Sequence, residues 1–433
     1  MTLRAAARAV FDAALRAGDV RPLVLRALAG VKAPTRGRLI VVGAGKASAA
    51  MAAAAEEAFG PAVSEGVVAV KDGHLAPTRR VRLREAGHPV PDERGAAAAR
   101  EIRSVVERAG ADDLVLVLVS GGGSALLPAP APPISLADKQ AVTRLLLAAG
   151  ATINQLNAVR KHLSLLKGGQ LARAASPARV HALLLSDVIG DPVDVIGSGP
   201  TAPDPSTFAD ALAVLDRFAV GAGVPVSVAE RLERGARGEI AETPKPDDPV
   251  FDRVTNAVIG NNALVVEAAT ARAAALGYTP HVLTHALEGE ARAVAREWVD
   301  LARRIEAGRG PVAPPACVIA GGETTVTVRG QGRGGRCQEF ALAAALEMQG
   351  LHDVVVLAAG TDGTDGPTDA AGAIVDSRSA SRARERGHDA EALLDANDSH
   401  RVLADLDDLI VTGPTNTNLL DLYLLLVGDP APR

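Results

Sequence analysis

Short runs of leucine and β-branched residues, without polar alternation, recur along the first half of the chain. Each ends in a glycine or serine turn and leads into an alanine-rich stretch with helical spacing. RLIVVGAGKASAAMAAAAEEA (38–58) and DLVLVLVSGGGSALL (113–127) are the clearest. A strand that lacks alternation is buried on both faces, and such strands alternating with helices predict an α/β fold around a parallel sheet. Ligands of such sheets lie at the carboxyl ends of the strands, where these glycine loops fall. A further run, VHALLLSDVIGD (180–191), ends in two aspartates and a glycine.

Periodicity stops at RGARGEIAETPKPDDPV (234–250), a stretch of charge, glycine and three prolines that reads as an interdomain linker. Two domains are therefore expected, 1–245 and 246–433, with a final helix free to pack back on the first. The second half restarts with strand-like VTNAVIGNN and a helix over 263–276, then turns more mixed. ACVIAGGETTVTVRGQGRGG predicts a hairpin, its TTVTV alternation calls for antiparallel pairing and hence a mixed sheet, and DVVVLAAGTDGTDGPTDAAGAIVD predicts a strand running into an Asp/Gly loop.

Composition removes several classes of function. Aromatic residues make up 2 % of the 433, so the cores must be built from Ala, Val and Leu, and few rings are present for base stacking. A formal net charge of −5 offers no basic face for a phosphate backbone, so no nucleic-acid partner is expected. Cys317 and Cys337 lack CxxC spacing and are too few for a disulfide framework, which fits a reducing compartment. The longest apolar tract, LVLVLVSGGGSALLPAPAPPI, is broken by glycines and prolines and cannot be a membrane helix. A cytoplasmic protein without a membrane partner is the expectation.

The candidate chemistry lies in the loops. In VVGAGKASAAM the third glycine of a dinucleotide fingerprint is replaced by Ser48, and Lys46 follows Gly45, an arrangement better suited to a phosphoryl oxygen or carboxylate than to NAD. Asp72, the acidic residue that would recognise a ribose, arrives late. SGGGSALLPAP is a stronger anion cradle. Gly121, Gly122 and Gly123 let backbone N–H groups approach with no Cβ in the way, and Ser120 and Ser124 add hydroxyls. SDVIGDPVDVIGSGPT supplies Asp187, Asp191 and Asp194, fit to hold Mg²⁺ or accept a hydroxyl proton; GTDGTDGPTD repeats the theme with Asp362, Asp365 and Asp369. His281 and His285 stand at i, i+4 without the glutamate of a zincin, and His88 lies in a turn. Arg336, after GQGRGG, has a fork of donors for a carboxylate or phosphate, its preceding glycines permitting close approach of a ligand, with Glu323 and Glu339 placed to hold it.

In order along the chain, VVGAGKASAAMA, GHPVPDERG, SGGGSALLPAP, VRKHLSLLKGGQLA, SDVIGDPVDVIGSGPTAPDPST, GNNALVVEAA, AGGETTVTV, GGRCQEFALAAAL, GTDGTDGPTDAAGA and TGPTNTNLLDLYLLL resemble the class II glycerate 2-kinases, whose C-terminal part is the MOFRL domain. The resemblance spans nearly the whole chain. It implies two domains, a Rossmann-like α/β/α first and a smaller mixed-sheet α/β second with the active site in the cleft between them, and ATP- and Mg²⁺-dependent phosphorylation of D-glycerate at its 2-hydroxyl.

Lys46 and Arg336 match the family's catalytic lysine and arginine. Gly45, Ser120, Gly121, Gly122, Gly123, Ser124, Asp191, Asn262 and Glu323 are then expected to bind nucleotide or substrate, with Asp187 as proton acceptor and Asp187 and Asp191 as magnesium ligands. Arg160, Lys161 or Lys167 would receive the glycerate carboxylate. Three positions depart from the family pattern: Cys337 for asparagine, Gln170 for arginine and Asn416 for glycine. The resemblance leaves monomer or homodimer open. The alternatives are an NAD(P)H-dependent hydroxypyruvate reductase, a label that relatives have carried, a kinase for a related sugar acid, and a non-catalytic sugar-acid binding module.

Overall fold

The computed structural model describes residues 1–218, 220 and 223–430. They divide into two compact units: Val20–Ile259, and Met1–Asp19 together with Gly260–Arg433.

The first unit is built on six strands: β1 (Leu39–Ala44), β2 (Val63–Lys71), β3 (Val81–Ala86), β4 (Leu114–Val119), β5 (Arg179–Leu185) and β6 (Val254–Gly260). Their order across the sheet is β3-β2-β1-β4-β5-β6, with β1 to β5 parallel. The strands β1 and β4 are buried at every position, as their unbroken apolar runs require. The order reverses between β1 and β4, so the loops after these two strands sit side by side at the switch point of the sheet.

The second unit carries β7 (Thr279–Leu287), β8 (Ala316–Gly322), β9 (Val354–Gly360), β10 (Gly372–Asp376), β11 (Leu409–Ile410) and β12 (Asp421–Val427), in the order β11-β10-β9-β12-β8-β7. The β7–β8 pair is parallel, whereas β12 runs antiparallel to β8 and β9, and β10 antiparallel to β9 and β11. Its core gathers Trp298, Phe340 and Tyr423 with a large set of Ala, Val and Leu side chains.

The sheet is mixed, but for a different reason from the one expected. TTVTV forms no hairpin. Thr325 makes a single bridge to Glu290, Thr327 bonds the Glu290 carboxylate, and the following glycines lie against the backbone of Ala396 and Asp398. Antiparallel pairing comes instead from β10 and β12, continuous apolar runs that carry no alternation because both faces are covered.

Two boundaries also shift. The proline-rich 234–250 stretch packs into the first unit: Glu242 accepts from the Phe208 N–H, Thr243 donates to Asp204, and β6 still follows it in the first sheet. Composition marked a loop there, while the break between units falls at Ile259/Gly260. The N-terminal helix Leu3–Ala17 belongs to the second unit, where Arg4 pairs with Asp376 and the buried Asp408. The last described element is the strand β12 rather than a helix. Among the described residues no helix is long and apolar enough to cross a membrane.

Candidate active site

The loops after β1 and β4 are interlocked. Gly45 N–H donates to Ala69, Lys46 N–H to Gly121, Ala47 N–H to Ser120 Oγ and Ser48 N–H to Gly45. With Ser48 Oγ donating to the Leu118 carbonyl, the Ser120 hydroxyl proton is directed at Ser48 Oγ, 3.2 Å away. Ser120 is therefore a buried latch between two loops, not the ligand-facing hydroxyl expected from the sequence. Gly45 is bare for the same reason: its φ is +149°, and a Cβ there would lie 2.0 Å from Ser120 Oγ. The turn after β1 spends its own N–H groups internally and presents the Lys46 side chain.

The SGGGS loop differs. Gly123 N–H closes a turn onto Ser120, but the N–H groups of Gly121 and Gly122 donate to no acceptor among the described residues. Gly122 has φ +81°, and a Cβ on it would come within 2.9 Å of the His88 ring and 3.6 Å of Lys46 Cγ. Lys46, His88 and Gly122 thus share one small neighbourhood beyond the carboxyl ends of β1 and β4. Ser124 Oγ lies 2.8 Å from Ser198 Oγ, which donates to Asn157, so Ser124 is the donor in its pair.

Beside this loop opens a cavity of about 410 Å³ lined by His88, Gly122, Ser124, Lys139, Arg160 and Lys167, among others, and by no Asp or Glu. Lys167 donates to the Ser124 carbonyl at 2.7 Å. Lys161, one of three cations expected to meet a carboxylate, is instead spent on Asp194 (3.3 Å) and the buried Asp204 (3.2 Å). Its neighbours on the chain point elsewhere because a helix turns each residue by a large angle from the last.

Asp187 and Asp191 follow β5, half-buried, with Asp191 at φ +55° and its N–H on Val188. Among the described residues no group of three or more His, Cys, Asp and Glu side chains assembles a metal cage. Each is a hard oxygen donor of the kind Mg²⁺ accepts, since that ion keeps several waters and commonly takes one or two carboxylates plus substrate phosphates.

In the second unit Arg336 opens the helix Arg336–Glu347. Its Nε and Nη2 donate to the two carboxylate oxygens of Asp421 at 2.5 and 2.8 Å, and Nη1 lies 3.1 Å from Glu323. Burial alone would lower the pKa of this guanidinium, but Asp421 outweighs it and holds the group well above the usual arginine value. Asp421 heads β12 between Gly322 and Gly360, and Tyr423 donates to it at 3.1 Å. Glu339, expected to share this task, pairs with Arg292 at 2.6 Å and accepts from Asn397.

The glycines before Arg336 make room for the protein's own chain rather than a ligand. A Cβ on Gly335 would lie 2.3 Å from the Asp365 carboxyl, and one on Gly334 2.3 Å from Ser399 Oγ. Asp365 caps the helix from outside, accepting from the N–H groups of Cys337 and Gln338; burial pushes its pKa up to about 6. Cys337 is itself fully buried, so this departure from the family pattern faces the core. Asn416 has φ +57°, a conformation that glycine adopts freely and asparagine tolerates, which accounts for that exchange. Asn262, expected at a nucleotide, donates instead to the carbonyls of Leu419 and Asp421, over a Gly321 that leaves no space for a Cβ. Asp421 escaped the sequence reading, although a lone aspartate opening DLYLLLV was a visible signal.

Comparison with known proteins decides the family. Residues 6–233 match a domain of unknown function (DUF4147) and residues 316–421 match the MOFRL family. The chain is 41% identical to the glycerate 2-kinase of Pyrococcus horikoshii over 92% of its own length and 89% of the relative's. This chain belongs to the MOFRL glycerate 2-kinase family. The D-glycerate 2-kinase of Thermotoga maritima is 42% identical over 90% of this chain and 91% of that one. The crystal structure of a Thermotoga maritima glycerate kinase superposes with a TM-score of 0.89 at 40% identity, covering 98% and 99% of the two chains. A family member from Agrobacterium vitis, 44% identical over 99% of this chain and 95% of its own, is provisionally named a hydroxypyruvate reductase.

Proposed function

We propose that this chain transfers the γ-phosphoryl group of ATP to the 2-hydroxyl of D-glycerate, giving 2-phosphoglycerate and ADP. The observation that carries this reading is its end-to-end likeness to relatives named glycerate 2-kinases, at about 40% identity in both sequence and structure comparisons. The enzyme is a kinase; ATP as donor and Mg²⁺ as its companion are the finer parts of the proposal.

Phosphoryl transfer asks the protein for positioning and charge neutralisation more than for covalent chemistry. The hydroxyl oxygen on C2 forms a bond to the γ-phosphorus while the bond from that phosphorus to the bridging oxygen breaks, leaving ADP. The hydroxyl proton passes to Asp187 or Asp191. Lys46 meets phosphoryl oxygens beside the free N–H groups of Gly121 and Gly122. Arg336, fixed by Asp421 and Glu323, neutralises the moving group. Mg²⁺, when bound through Asp187 and Asp191, would offset charge on the phosphate oxygens.

The hydroxypyruvate reductase reading rests on the Agrobacterium vitis name. Hydride transfer to a keto acid wants a proton donor, and His88, packed against Gly122, is the group available in this neighbourhood.

The test is Lys46→Ala and Arg336→Ala, each assayed for kcat beside thermal melting. Loss of one electrostatic stabiliser of the transition state commonly lowers the rate by about 10²- to 10³-fold. A folded variant with unchanged kcat would take that residue out of the mechanism.

A further inference from the structure

The cavity beside the SGGGS loop gathers more lysine and arginine side chains than a three-carbon acid can answer. Lys139 is 5% exposed and its Nζ has no hydrogen-bond partner. Lys167 is 2% exposed, and its one bond is to the carbonyl of Ser124. Arg160 lines the same space, and no carboxylate does. Buried cations are normally paired, because an ion that leaves water loses its hydration. Three together without a counter-charge mark a place where a multiply charged anion completes the structure. Away from these cations the wall is mainly apolar, with Val90, Pro91, Leu136 and Leu147 beside Gln140 and Thr143. The volume, about 410 Å³, lies in the range of cofactor sites and is several times that of a small hydroxy acid.

We propose that this cavity takes the polyphosphate of a nucleoside di- or triphosphate on Lys139, Arg160 and Lys167, with the base against the apolar wall. The inference rests on the kinase reading and deepens it by reassigning Arg160 and Lys167 from the acid to the nucleotide and by adding Lys139. Gly122 and Ser124 line both this cavity and the loop beside Lys46, so a phosphate chain lying here ends next to that lysine.

The proton count supports the same assignment. Burial, then the charges of Arg160 and Arg231 on facing helices, pull Lys139 down to about 7, and burial with Lys139 and Arg160 lowers Lys167 well below the usual lysine value. His88 and Arg144 are the other titratable groups on the wall. A polyanion entering among these groups stabilises their charged forms, so binding at pH 8 takes up protons.

Titrating the full chain with ADP alone, by calorimetry in buffers of different ionisation enthalpy, tests this. Lys139→Met and Arg160→Gln are compared with wild type, and each is also assayed for the KM of D-glycerate. Expected are proton uptake in wild type, its reduction in Lys139→Met, and ADP affinity lower by about 10-fold or more in both variants, with the KM for glycerate little changed. Unchanged ADP affinity in the folded variants overturns the proposal, as does a rise confined to the KM of glycerate, which would return the cavity to the acid. A wild-type chain that binds no ADP and consumes no ATP overturns the kinase reading itself, a result distinct from either.

Discussion

The Arg336 guanidinium and the Asp421 carboxylate meet edge to edge, Nε to Oδ2 at 2.5 Å and Nη2 to Oδ1 at 2.8 Å, with the carboxylate fully buried at the head of β12. A bidentate pair of this kind fixes the plane of the guanidinium as well as its position. In the proposed mechanism Asp421 acts through Arg336, as the residue that positions it. Asp421→Asn keeps the shape and removes the charge, so kcat should fall, but by less than the roughly 10²- to 10³-fold expected for Arg336→Ala. Steady-state kinetics on both variants check the order; an Asp421→Asn enzyme slower than Arg336→Ala contradicts it.

The two loops of the first sheet are latched by Ser48 and Ser120 over a bare Gly45. Gly45→Ala would drive a methyl group to 2.0 Å from Ser120 Oγ at a φ that L residues rarely adopt. Overpacking of this kind costs about 1–3 kcal/mol, and the strained backbone adds to it. Gly110→Ala, with open space around it, should change stability little. Urea unfolding of the two variants makes the comparison.

Two buried lysines close in sequence should respond oppositely to truncation. Lys161 is paired with Asp194 and Asp204, so Lys161→Met strands the buried Asp204 carboxylate and should destabilise by about 3–5 kcal/mol. Lys139 has no partner to strand, so Lys139→Met should be neutral or stabilising in the ligand-free protein. Equal losses in denaturant melts would refute the distinction.

Lys139 also sets a pH dependence. Its folded-state pKa of about 7 lies below the unfolded lysine value of about 10.4, so between these limits the unfolded chain binds more protons. Its contribution makes ligand-free stability rise with pH across that window, by at most about 1.4 kcal/mol per pH unit from this one group. Lys139→Met should remove that part of the slope, measured by denaturant melts from pH 7 to 10.

Much of the first unit was legible because unbroken apolar runs ending in glycine have one economical solution, a parallel sheet buried on both faces. β1 and β4 were readable for that reason, and so was the loop pair beyond them. What the sequence hid was the use of each polar atom. Ser120 and Asn262 carry the right groups for a ligand, yet close approach of a neighbouring strand turns both inward. Lys161 and Lys139 look alike in sequence, but Asp204 stands opposite one and nothing acidic lines the cavity around the other. TTVTV misled because local alternation competes with partners distant along the chain, here Glu290 and the 396–398 turn.

The most direct test of the central claim follows the products of the purified enzyme given ATP, Mg²⁺ and D-glycerate, by phosphorus NMR. Parallel samples contain NADH and hydroxypyruvate. The account predicts 2-phosphoglycerate and ADP formed in equal amounts, with NADH left intact. Oxidation of NADH by hydroxypyruvate, with no phosphorylated acid in the other sample, would contradict it.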